Sequence, residues 1–189
     1  MLTTLANVKL LLNITDGSQD ALLTYLINAV SAWIETYCGR TFLKPANEIT
    51  ELYDGTGKKM IIVKNYPVDS LSKIEERTDA VTFVEIAVTK YYTDKEAGIV
   101  ETDFFTTIGN NNYQITYKGG YATVPVDLDM ACAQMVANEF YQRQTGGGGG
   151  EVSSESLGEY SVSYNYKSAE TETDKFIDNT LSRYKRYRV

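Results

Sequence analysis

The chain contains no histidine, and that absence removes Ser-His and Cys-His nucleophilic pairs together with the commonest metal ligand. Its two cysteines, Cys38 and Cys132, are too few for a disulfide framework. Each sits in a helix-like apolar pattern, where a thiol behaves as a small buried hydrophobe. No cysteine cluster offers a zinc site, and no D-x-[DN]-x-[DN]-G run offers a calcium loop. Long apolar runs are lacking too: none reaches the roughly 18 residues that a membrane-spanning helix needs. The opening MLTTLANVKLLLNI has neither a basic n-region nor a small-residue cleavage site, so cytoplasmic synthesis is expected and the sequon Asn13-Ile14-Thr15 is set aside. Gly55 and Gly57 precede Lys58 and Lys59 without phosphate-loop spacing or a following helix. Glu75, Glu76, Asp94 and Glu96 are the sort of acids found on any acidic surface and nominate no acid-base pair. No catalytic residue, metal ligand or cofactor site is expected, and no enzyme activity.

What is present is enough apolar material for a sizeable core: 189 residues, 43% hydrophobic, suit one domain or one domain with an extension. The net charge of -7 is unevenly spread. From Lys175 onward five cations face one acid, giving +4 and leaving -11 on the remainder. An acidic body is ill suited to gripping a phosphate backbone, though well suited to a surface that nucleic acid slides past.

The spacing predicts an α+β fold. A first helix over 3–13 is capped by Thr3 or Thr4, with Leu5, Val8 and Leu11 or Leu12 on one face. A second, over 19–38, carries Leu22, Leu23, Leu26, Ile27, Val30, Trp33, Ile34 and Tyr37 as a face to be buried in the core or partly against another subunit, and Gly39 stands at its left-handed end. Residues 48–121 turn β-rich. Ile49 to Tyr53 and Met60 to Val63 flank Asp54-Gly55-Thr56-Gly57, a hairpin signal. Leu71 to Arg77, Thr82 to Val88 and the alternation of Tyr113, Ile115 and Tyr117 add strands, for a sheet of four to six; Thr89 to Asn112 reads as a loop with a short strand. A third helix over 125–143 starts at Pro125, with Asp127 and Asp129 at its positive end and Leu128, Cys132, Met135, Val136 and Phe140 inward.

Five glycines, Gly146 to Gly150, then mark a boundary, a flexible loop over 146–155 whose ends would lie on the order of 12 Å apart as a free coil. The division expected is a core domain over 1–145 and a C-terminal unit over 156–189. In that unit Tyr160, Val162, Tyr164 and Tyr166 alternate as a strand, and Thr171 to Val189 reads as a helix with Phe176, Ile177, Leu181, Tyr184 and Tyr187 as its stripe. Such a helix, about 18 residues long, is marginal alone in water and needs a surface.

Two segments resemble the head-tail connector (adaptor, or head-completion) proteins of long-tailed bacteriophages. One is Leu22 to Phe42, an amphipathic helix closed by Gly39-Arg40-Thr41-Phe42. The other is Tyr117 to Arg143, where Gly119-Gly120-Tyr121, Val124-Pro125 and Asp127-Leu128 lead into a helix. Tyr66-Pro67-Val68 and Ser156 to Ser161 lie between and after them in the same order. Gly39, Arg40, Phe42, Gly119, Gly120, Tyr121 and Pro125 are thus the marker residues of the scaffold.

The resemblance implies a mainly helical subunit with a small β part, which assembles as a ring of about a dozen copies beneath the portal and around the DNA channel. Such a ring extends the portal exit, helps retain packaged DNA and offers a platform to neck or tail-completion proteins. The expected partners are therefore the portal, neighbouring copies and the next neck component, with DNA passing through without sequence-specific binding and no membrane. The virion neck is the expected location. The β-rich middle departs from a minimal helical connector. Phe176, Ile177, Leu181, Arg183, Tyr184, Lys185, Arg186, Tyr187 and Arg188 are the candidate contacts to the portal or an adjacent subunit, since tyrosine and arginine are favoured anchors. Two other readings stay open: a DNA-binding protein using RYKRYRV as a basic, aromatic arm, and an unrelated soluble interaction domain.

Overall fold

The computed structural model describes residues 1–144, 154–157, 160–163 and 172–186. Its contacts divide the chain into two compact units, each built from separated stretches. The first comprises Met1–Ile34 with Val126–Tyr184, and the second Glu35–Pro125 with Lys185–Val189. The glycine run expected at 146–150 and the chain end at 187–189 lie outside the described residues, as do Thr171 and residues 164–166. Four helices and antiparallel sheets make the fold α+β.

The first unit is helical. Helix α1, Leu5–Leu12, begins because Thr4 is extended and its Oγ1 accepts the Asn7 N–H at 3.1 Å. It ends at Asn13, which is left-handed at φ 57°, with the Ile14 N–H returning to the Lys9 carbonyl at 2.9 Å. Thr4→Ala is expected to lower stability by about 1 kcal/mol in urea unfolding, with unchanged urea dependence. Helix α2, Asp20–Cys38, buries Leu23, Leu26, Ile27, Val30, Ile34 and Cys38. Trp33 and Tyr37, expected inward, are instead 51% and 40% exposed. Trp33 stands at the margin of the buried stripe formed by 23, 26, 27, 30 and 34, whereas Tyr37 falls within that stripe by angle but lies in the last turn of the helix.

Helix α3, Val126–Gln144, starts just after Pro125 and carries Asp127 and Asp129 in its first turn. Its packed face is Leu128, Ala131, Cys132, Ala133, Val136, Ala137 and Phe140; Met135 is only half-buried. Helix α4, Glu172–Tyr184, lies on α3 and buries Ile177, Thr180 and Leu181. It is shorter than the stripe predicts, because the backbone leaves the helix after Tyr184. Before it, β8 (Ser154–Leu157) and β9 (Tyr160–Ser163) pair as an antiparallel hairpin where a single strand was expected.

The second unit holds a four-stranded sheet in the order β1-β7-β3-β4, from Ile49–Gly55, Gly109–Gly119, Val68–Arg77 and Phe83–Glu85. A three-stranded sheet β2-β6-β5 joins Met60–Ile62, Ile99–Thr102 and Tyr91–Asp94. The expected hairpin between β1 and β2 does not form. β1 pairs with β7 from Ile49 opposite Tyr117 to Gly55 opposite Gly109, and β2 pairs with β6. An eleven-residue strand offers β1 a longer ladder than a three-residue one can. The stretch from Thr89 to Asn112, read as mostly loop, contains a 3-10 turn at Val88–Lys90 and the β5-β6 hairpin, whose turn closes when Asp94 Oδ1 accepts the Ala97 N–H at 3.1 Å. Inward residues Tyr53, Ile61, Val63, Val68, Ile74, Val100, Tyr113, Ile115 and Tyr117 form one apolar core.

A hydrogen-bonded cluster sits at the rim of that core. Tyr53 and Tyr117 donate to Glu51 Oε2 at 2.6 and 2.8 Å, while the hydroxyls themselves accept the Lys64 and Asn65 N–H groups, both at 3.0 Å. Their bodies are apolar and their tips hold the 63–66 loop.

Candidate assembly surface

The first marker segment is closed by backbone chemistry. Gly39 takes φ +68°, and the Arg40 N–H reaches the Glu35 carbonyl at 3.1 Å to finish α2. The chain beyond is then joined to the second marker segment: the Tyr121 N–H donates to the Phe42 carbonyl at 2.7 Å, and the Lys44 N–H to the Tyr121 carbonyl at 2.9 Å. Leu43 and Tyr121 make a parallel bridge. Gly120 is needed here twice over, for its φ of +116° and because a Cβ would stand 2.8 Å from the Phe42 oxygen.

Arg40 occupies the middle of this junction and is only 4% exposed. Its guanidinium carbon lies 3.5 Å from the Tyr66 ring centre, 5.1 Å from Phe42 and 5.7 Å from Tyr121, and Nη2 donates to the Tyr66 carbonyl. Nε and Nη1 make no hydrogen bond, so the three aromatic faces are what offset their desolvation. Asn65 completes the knot, its Oδ1 accepting from the Thr41 N–H at 3.0 Å and from the Thr41 hydroxyl at 2.9 Å. Gly39, Arg40, Phe42, Gly119, Gly120 and Tyr121 are thereby brought together. Asn65 and Tyr66 are members that no local pattern marks as such, although Tyr66-Pro67 stands out as a motif between the two segments.

The candidate contact residues at the chain end divide. Ile177 and Leu181 are buried within their own unit, Phe176 is half-buried, and Tyr184 donates its hydroxyl to Asp127 Oδ1 at 2.7 Å. Arg183 and Lys185 are exposed, with Arg183 Nη2 3.7 Å from Asp127 Oδ2 and Lys185 Nζ 4.7 Å from the Tyr37 ring centre. In the second unit the Arg186 N–H donates to the Cys38 carbonyl at 2.9 Å, satisfying an orphan oxygen at the end of α2. Tyr187 and Arg188 lie outside the described residues.

A groove of about 690 Å³ opens between α2, α3 and α4 within the first unit. Its walls include Tyr25, Trp33, Met135, Glu139, Asp174 and Asp178, with Leu26, Val30 and Ile177 beneath.

The head completion protein family matches residues 1–187 of the chain. The chain belongs to that family. Solved structures agree on the fold of this head completion protein. A chain from the neck of an empty gene transfer agent particle, computed with C6 symmetry, aligns at TM-score 0.61 and 15% identity, covering 100% of this chain and 91% of that one. A chain from the neck of the native particle, computed with C12 symmetry, aligns at TM-score 0.54 and 16% identity over 90% of this chain and 85% of that one. A third, from the virion of the native gene transfer agent, gives TM-score 0.54 at 14% identity over 92% and 81% of the two chains. No curated protein matches the sequence.

The reactive groups of this head completion protein are few. Burial pushes the Cys38 and Cys132 thiols up to about 11 each, so both stay protonated at neutral pH. Among the described residues no cluster of three acids or cysteines could hold a metal ion. No described helix is long and apolar enough to cross a membrane.

Proposed function

We propose that this chain is a structural subunit of the virion neck, one of about a dozen copies forming a ring beneath the portal that extends the DNA channel. The observation that carries this reading is the family match over residues 1–187. The ring helps to retain packaged DNA and gives the next neck or tail-completion protein a docking platform. It performs no catalysis. The acidic body, at net charge -7 for the whole chain, suits a wall that repels DNA and lets it pass without base recognition.

Particle imaging and native mass measurement, with and without purified portal, test the reading directly. A closed ring in either mixture is expected, and a chain that stays monomeric in both overturns it.

The portal or subunit contact is proposed for the exposed end of α4 and the residues after it, with Phe176, Ile177 and Leu181 holding the helix in place. Among the described residues, Arg183 and Lys185 are the exposed cations there. The double variant Arg183→Glu, Lys185→Glu is expected to weaken portal binding at least tenfold and to flatten its salt dependence. Affinity equal to wild type at low salt removes this end from the contact.

A further inference from the structure

Among the exposed apolar groups, two sets stand beside charges of opposite sign. One is the groove of the first unit, where Tyr25 is 64% and Trp33 51% exposed beside the carboxylates of Glu139, Asp174 and Asp178, with Arg143 as the one cation among its described walls. The other is a tip of the second unit made by residues 56–59 and 103–108. There Phe105 is 71% and Ile108 79% exposed, next to the exposed Lys58 and Lys59.

The tip is built to hold its shape. Buried Thr106 donates both its N–H and its hydroxyl to the Lys58 carbonyl, at 3.0 and 2.9 Å, and the Thr102 N–H donates to the Lys59 carbonyl at 2.9 Å. Thr107 anchors the other side, its N–H on the Tyr113 hydroxyl at 2.9 Å and its own hydroxyl on Glu76 Oε1 at 2.7 Å. Lys59 Nζ stands 5.0 Å from the Phe105 ring centre. Two large apolar side chains are therefore presented to solvent on fixed backbone, with cations beside them. A preordered anchor loses little freedom on docking, which is what a recognition element requires.

A cyclic ring of identical chains uses heterologous contacts, so each copy must carry two different patches that complement one another. We propose that the Phe105 and Ile108 tip of one copy seats in the α2-α3-α4 groove of the next, its lysines facing Glu139 and Asp178. This rests on the ring proposed above. The apolar parts supply the burial, and the lysine-carboxylate pairs set the register and reject the like-charged alternatives.

The test uses the full-length chain with purified portal, reading ring population by native mass. Phe105→Ala with Ile108→Ala is expected to reduce the ring at least tenfold while leaving the thermal unfolding of the free chain unchanged, since both side chains are largely exposed. Lys58→Glu with Lys59→Glu is expected to do the same, and adding Glu139→Lys with Asp178→Lys to that chain is expected to restore the ring. Wild-type ring levels in both tip variants overturn the inference and leave the ring reading standing. Loss without rescue by the charge exchange overturns the assignment of the groove. Absence of a ring in the wild type overturns both readings together.

Discussion

Gly120→Ala is expected to destabilise the protein by about 3 kcal/mol, the size of effect reserved for strained backbone and steric overlap at once. Both apply. The residue sits at φ +116°, and the new methyl would meet the Phe42 oxygen at 2.8 Å and the Lys44 nitrogen at 2.9 Å. Those atoms are backbone and are themselves tied to Tyr121, so neither can move without breaking the Leu43-Tyr121 bridge. Gly17→Ala is the matched control, because its nearest neighbour is Asp20 Oδ2 at an ordinary 3.5 Å, and a change within about 0.5 kcal/mol is expected there. Urea midpoints of the two variants decide the matter. Equal midpoints would mean that the junction tolerates a side chain and is not a fixed point of the fold.

The second large effect is a loss of stability at alkaline pH. Burial holds the Tyr53 hydroxyl well above the ordinary tyrosine range, with the neighbouring Tyr117 and Glu51 adding to the shift. Burial also raises Tyr117, against the opposing hydrogen bonds from Tyr53 and Asn65. Tyr113 is raised by burial as well. Since the folded values lie above the unfolded value of about 10, the tyrosines' contribution is complete below pH 10 and declines as pH rises beyond it. The unfolded chain then binds fewer protons than the native one, so stability falls by roughly 1.4 kcal/mol per pH unit for each of Tyr53 and Tyr117. Cys38 and Cys132 act with the same sign slightly earlier, between their ordinary thiol value and about 11. Urea unfolding between pH 8 and 11 should show this decline, and Tyr117→Phe should make it shallower while lowering stability at pH 8. A flat profile to pH 11 would contradict the buried tyrosine cluster.

Helices were the most legible part of the sequence, because their signals are local. The period of α2, the threonine before α1 and the left-handed Gly39 each act within a turn or two. Strand partners were not legible, since period-two alternation fixes which face a residue occupies and not which neighbour it bonds. Asp54-Gly55 therefore suggests a hairpin, while β1 finds β7 some sixty residues away. β5 and β6, at four residues each, are too short and polar to announce themselves. Trp33 and Tyr37 look inward in the sequence because α2 is apolar round much of its circumference, and composition does not say which part stays uncovered.

The site shows the same boundary. Gly39-Arg40-Thr41-Phe42 and Gly119-Gly120-Tyr121 could be picked out singly, yet their union through Asn65 and Tyr66 is a tertiary fact. The groove needs three helices whose lining residues run from Tyr25 to Asp178, and the tip needs two loops some fifty residues apart. No window along the chain contains either.

The discontinuity of both units bears on when the molecule comes into being. The helical unit requires Met1–Ile34 and Val126–Tyr184 together, and the other requires the Arg186 amide that closes α2. Contacts so distant in sequence can mature only after residues 126–186 have emerged, since a domain folds on the ribosome only when its parts have left it. A nascent or prematurely ended chain has no α4, and so no groove. Order of synthesis thus acts as a quality gate: a chain cut short before α4 lacks one of the surfaces through which one copy could engage another.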